Sequence, residues 1–237
     1  MKFELFYPQW KDRAVTFSYD DGIEQDRRLV DIFNSYGMKC TFNLNTGIQS
    51  EESHFEIDGV KIHRMNQEDI GDLYKGHEIA VHGLTHTGPT GLLPEELEQE
   101  FYQDAKNIER IYGKYPVGMA YAYGDCDERV AKYLQSIGIQ YGRTVGSTHG
   151  FDLPKEPMLL EATCHHNDEQ LFALAKQFLE AEPDDGKPML FYIWGHSYEF
   201  DVNRNWDRIE RLCEMLAGHE DIFCGTNAEC LLDNPFA

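Results

Sequence analysis

Hydrophobic and polar positions along this chain follow two alternating periods. Short runs rich in β-branched and aromatic residues, RAVTFS (13–18), KCTFNLN (39–45), HEIAV (77–81), GMAYAY (118–123), QYGRTV (140–145), PMLFYIW (188–194) and DIFCG (221–225), have the length and composition of buried strands. Between them apolar residues recur every three or four positions. In EQDRRLVDIFNSYG (24–37), Leu29, Ile32, Phe33 and Tyr36 share one helical face and Gly37 stops the helix. In PEELEQEFYQDAKNIERIYG (94–113), Leu97, Phe101, Ala105, Ile108 and Tyr112 do the same behind an initiating Pro94. EDIGDLYKG (68–76), DERVAKYLQSIG (127–138), DEQLFALAKQFLE (168–180) and NWDRIERLCEML (205–216) are further helices, and EIDGVKIH (56–63) is a hairpin turning at Asp58 and Gly59. Strands alternating with helices predict an α/β fold with a mostly parallel sheet, either doubly wound or closed as a barrel. In both, working groups stand at the carboxyl ends of strands.

The groups at those ends are ionisable. Asp20 and Asp21 follow AVTF, His82 and His86 follow HEIAV within HGLTH, Arg143 lies near QYG, and His196 follows FYIW. Two adjacent carboxylates at the end of a buried strand are costly unless a cation or hydrogen bonds satisfy them. Two imidazoles four residues apart, with Gly83 easing a turn, can face one ion, and with Asp21 they form the open three-ligand set of a catalytic divalent site. HGLTH lacks the glutamate that HExxH supplies as base, so the base comes from elsewhere. Asp20, beside the ligand, can take a proton from water held on the metal. Asp, His and His suit Zn²⁺ best, with Co²⁺, Ni²⁺, Fe²⁺ or Mn²⁺ as alternatives.

Composition narrows the partners. With 237 residues, the chain is expected to form one domain over 1–237. Its 21 basic against 42 acidic residues, net charge −21, disfavour nucleic acid and anionic membrane surfaces. No apolar leader core or membrane-spanning run is found, so a cytoplasmic location is expected. The six cysteines include no CxxC pair and are read as reduced.

The ordered motifs TFSYDDG, EIAVHGLTH, YPVGMAYAYG and LFYIWGH, spanning residues 16 to about 200, resemble the polysaccharide deacetylase family, carbohydrate esterase family 4. That resemblance implies a distorted (β/α)7 barrel and metal-dependent removal of acyl groups from N-acetylated sugars. It implies Asp20 as general base, Asp21, His82 and His86 as metal ligands, and His196 as general acid. Amide hydrolysis also needs a donor to the developing oxyanion, a role the Tyr123 amide can fill. The third motif departs from the family's RPPYG pattern: Ala120 occupies the arginine position, and Arg143 is expected to reach Asp20 instead. EATCHHND resembles a Thr-x-His element, which makes His165, rather than His166, a candidate to line a cleft with Trp194. The substrate expected is a small-molecule or oligosaccharide N-acyl sugar, with a non-sugar linear or cyclic amide as the alternative.

Overall fold

The computed structural model describes residues 7–8, 11–50, 52–182 and 187–232. The N-terminal stretch read for a leader lies largely outside them. Strand β1 (Arg13–Asp20) is buried along all but its first residue, as a parallel strand covered on both faces must be. One edge pairs with β10 (Met189–Gly195), in register from Arg13↔Met189 to Tyr19↔Gly195. The other edge is shared, its first half taken by β11 (Ile222–Cys224) and its second by β2 (Cys40–Leu44), ending at Asp20↔Asn43. This division of one edge between two strands distorts the sheet.

From β2 the parallel order continues through β5 (Glu78–Val81), β6 (Gly118–Ala120), β7 (Tyr141–Ser147) and β8 (Leu160–Ala162), while β9 (Cys164–His165) lies beside β10. Only Thr163 separates β8 from β9. Its amide donates to Tyr192 O at 2.8 Å and its hydroxyl accepts from Tyr192 N at 3.1 Å. Residues 160–165 therefore join β7 to β10 and close the sheet into a distorted (β/α)7 barrel. Outside the barrel β3 (His54–Ile57) and β4 (Val60–His63) form a hairpin. Asp58 and Gly59 both have positive φ, at 50° and 78°, as a two-residue type I′ turn requires.

Helices cover the barrel with the faces the periodicity selects. α1 (Asp26–Tyr36) buries Leu29, Val30, Ile32 and Phe33, and Gly37 closes it at φ 67°. α2 (Gln67–Leu73) buries Ile70. The 94–113 helix is not uniform: α3 (Pro94–Leu97) passes through a π-helical turn (Glu98–Tyr102) into α4 (Gln103–Tyr112). α5 (Glu128–Ser136) starts with the Asp127 carboxylate accepting from Val130 N. α6 (Leu171–Glu180) and α8 (Trp206–Leu216) pack beside each other, with α7 (Glu199–Val202) and α9 (Asn227–Leu231) as short pieces. β6 is shorter than GMAYAY, because the chain turns at Tyr121–Gly124 with Tyr123 at φ 60°. The six cysteines are free. No helix among the described residues is long and apolar enough to cross a membrane.

Candidate active site

Asp20 is the last residue of β1 and its register partner on β2 is Asn43, whose amide donates to Asp20 Oδ1 at 2.8 Å. Arg143 Nη2 donates to Asp20 Oδ1 at 2.6 Å and Oδ2 at 2.5 Å. Arg143 lies inside β7 rather than at its end, and its register partner on β6 is Ala120. Register partners on neighbouring parallel strands point to one face, about 4.8 Å apart. A methyl group at Ala120 thus leaves room for a guanidinium from the next strand, and the Trp194 ring covers that guanidinium at 4.4 Å. Burial alone raises the Asp20 pKa, but Arg143, then His82 and His196, hold it down at about 2.

Asp21 turns at φ 84°, and its main-chain oxygen accepts from Gln49 Nε2 and Arg64 Nη1, each at 2.8 Å. His82 Nδ1 donates to Ala120 O at 2.8 Å, which leaves Nε2 as a lone pair, sealed and without a hydrogen-bond partner. His86 Nδ1 lies 3.2 Å from the Tyr123 hydroxyl. Burial, then His82, lowers the His86 pKa to about 4, so its imidazole is neutral near pH 7. Ligand atoms of Asp21, His82 and His86 all lie within 4.8 Å of one another. An orphaned imidazole lone pair facing a carboxylate and a second neutral imidazole fits a divalent cation.

The loop carrying both histidines is held from beneath. Asn45 Nδ2 donates to His82 O and Gly83 O at 2.8 and 2.9 Å. The Glu100 carboxylate, presented by the π turn, accepts from Thr85 N at 2.9 Å, Thr85 Oγ1 at 2.8 Å and Thr87 N at 3.2 Å. Gly83 has φ 85°, and a Cβ there would stand 2.8 Å from Glu100 Oε1.

His196 follows β10, with Nε2 at 3.9 Å from Asp20 Oδ2 and Nδ1 at 3.6 Å from Glu199 Oε2. Burial opposes its charge, but Glu199, Asp21 and Asp20 outweigh that and raise its pKa to about 9. Glu199 Oε2 also lies 3.2 Å from His165 Nε2 and 3.0 Å from His166 Nε2. His165 Nδ1 accepts from Asn167 N at 3.1 Å, so its proton sits on Nε2 and the contact to Glu199 is a hydrogen bond. Burial pulls the His166 pKa down to about 4.

These groups open on a cavity of about 450 Å³ lined by Asp20, Asp21, His82, His86 and His196, with Tyr123, Trp194, Phe55, Arg64 and Tyr198 around them. Tyr123 is 71% exposed. His165 is not in that wall; it packs edge-on against Trp194 at 4.6 Å and serves Glu199. Sequence reasoning passed over Asn43, Asn45, Arg64 and Glu100. For Asn43 and Asn45 a signal existed, since two asparagines in a buried strand run need partners.

The sequence model of the polysaccharide deacetylase family matches residues 8–142, more than half of the chain, and the chain belongs to that family. No curated protein matches it. Among solved structures, a chain from Mycobacterium smegmatis assigned to the polysaccharide deacetylases is 18% identical over 96% of this chain and 92% of its own, at TM-score 0.67. The family 4 carbohydrate esterase from Streptomyces lividans, in complex with acetate, is 15% identical over 91% and 93%, at TM-score 0.58. The Streptococcus pyogenes deacetylase PplD matches at 15% identity and TM-score 0.49 over 55% of each chain, so this chain spans about half of that one. The first two of these likenesses show a shared barrel fold.

Proposed function

We propose that this protein is a divalent-metal-dependent deacetylase that removes an acetyl group from the nitrogen of an N-acetylated sugar. The observation that carries the reading is the meeting, in one cavity, of a three-donor ligand set with a separately paired carboxylate and the His196 imidazole. Asp21, His82 and His86 would hold the ion, with Zn²⁺ the best match to their donor atoms. When bound, it would supply Lewis acidity to the acetyl carbonyl and acidify water.

The chain's own residues account for the proton movements. Asp20, ionised and fixed by Arg143 and Asn43, takes the proton of the attacking water as its oxygen bonds to the carbonyl carbon. The Tyr123 amide, which makes no hydrogen bond among the described residues, is suited to donate to the carbonyl oxygen. As the carbon–nitrogen bond breaks, His196 gives its proton to the leaving nitrogen; acetate and a free amine result. Exposed Tyr123 offers an aromatic face to the sugar ring, and Trp194, one face of which is taken by Arg143, borders the cavity.

The test is product analysis with zinc-loaded protein on N-acetylglucosamine oligomers and on a panel of linear and cyclic amides. Acetate release from the sugars, abolished by a chelator and by Asp20→Asn, is expected. Ammonia or ring opening from the amides, without acetate from any sugar, would overturn the assignment.

A further inference from the structure

Arg64, which ends the β3–β4 hairpin segment, lines the cavity yet has no part in the chemistry assigned above. One nitrogen of its guanidinium is fully engaged: Nη1 donates to Asp21 O at 2.8 Å and Asn45 Oδ1 at 3.2 Å, and lies 3.5 Å from Asp21 Oδ1. The Phe55 ring supports the group at 5.4 Å. Nε and Nη2 form no hydrogen bond among the described residues, and neither is among its sealed polar atoms, although the residue is only 8% exposed. Their two N–H bonds make the side-on edge of the guanidinium, the fork that matches a planar carboxylate.

The charge balance of the cavity points the same way. Asp20 is matched by Arg143, and Glu199 by His196. The carboxylate nearest Arg64 is Asp21, which is also a proposed metal ligand and cannot neutralise a divalent ion and a guanidinium together. Arg64 is then the surplus cation of the site. In a chain of net charge −21, an anionic substrate needs such a local cation to remain in the cleft.

We propose that Arg64 is a specificity residue that pairs side-on with a carboxylate carried by the substrate next to its N-acetyl group. The inference rests on the deacetylase reading and narrows it to acidic N-acetylated sugars. N-acetylglucosamine and N-acetylmuramate serve as a pair of probes that differ by a lactyl ether on O3, which carries the carboxylate. Wild-type kcat/KM is expected to favour the acidic sugar by about tenfold or more, the range of a charge-assisted hydrogen-bond pair. Arg64→Gln is expected to bring the ratio close to one, and Arg64→Lys, which keeps the charge but loses the fork, to leave an intermediate ratio. The lysine variant also carries the test if the glutamine variant does not fold. Calorimetry on Asp20→Asn protein, which binds without turnover, is expected to give the same ratios as dissociation constants. Equal kcat/KM for the two sugars in the wild type, or a preference that survives Arg64→Gln, would overturn the role of Arg64. Acetate from neither sugar would instead overturn the deacetylase reading, and this inference with it.

Discussion

As the proposed general base, Asp20 is under two opposed demands. A general base must be ionised to take a proton, but every interaction that stabilises the anion weakens its pull on that proton. Burial favours the neutral form, and Arg143 with Asn43 overcomes it, leaving the group ionised across the working range. His196 is tuned in the other direction. As the proposed general acid it works as the cation, which Glu199 favours up to a pKa of about 9. The acid is therefore present below that pH and lost as pH rises through it. Removing the Glu199 charge lowers the His196 pKa, so Glu199→Gln is expected to move the alkaline limb of kcat/KM to lower pH and leave the acid limb in place. A pH–rate profile checks this. An unmoved alkaline limb would mean that Glu199 does not hold the proton on His196.

At the level of elements, the site depends on one loop bound to one helical irregularity. The π turn offers the Glu100 carboxylate to Thr85 and Thr87, and Leu84 N donates to Glu100 O at 2.8 Å. Gly83→Ala places a methyl against Glu100 Oε1 and forces an L-residue to φ 85°. The expected cost is about 1–3 kcal/mol in denaturant unfolding, with weaker divalent-ion affinity. Unchanged affinity would separate the loop from the ion. This region also marks where the sequence stopped being readable. The spacing of Leu97, Phe101, Ala105 and Ile108 gives the helix, but the extra residue of a π turn leaves that spacing almost intact, so Glu100 reads as a surface charge. Residues 160–165 were missed as a strand because Thr163 and the two-residue β9 give no period to count. The gap at Ala120 was legible, and with it the idea of an arginine from another strand. The hub at Glu199 was not: its three imidazoles come from β9, the turn after it and the end of β10, and no local pattern links them.

Across the whole molecule, the parallel order decides which side chains meet. β1, β5, β6 and β10 deliver Asp20, the histidine loop, Tyr123 and His196 to one end of the barrel, as a parallel sheet requires of its strand ends. The net charge of −21 draws cations toward the surface in general, so ion binding by itself does not identify the site. The discriminating measurement is a calorimetric zinc titration, with the bound metal counted, on wild type, Asp20→Asn and His82→Ala. One tight ion per chain is expected in wild type and in Asp20→Asn, and loss of that ion in His82→Ala. Full tight occupancy in His82→Ala, or none in the wild type, would contradict the claim that Asp21, His82 and His86 together hold the catalytic ion.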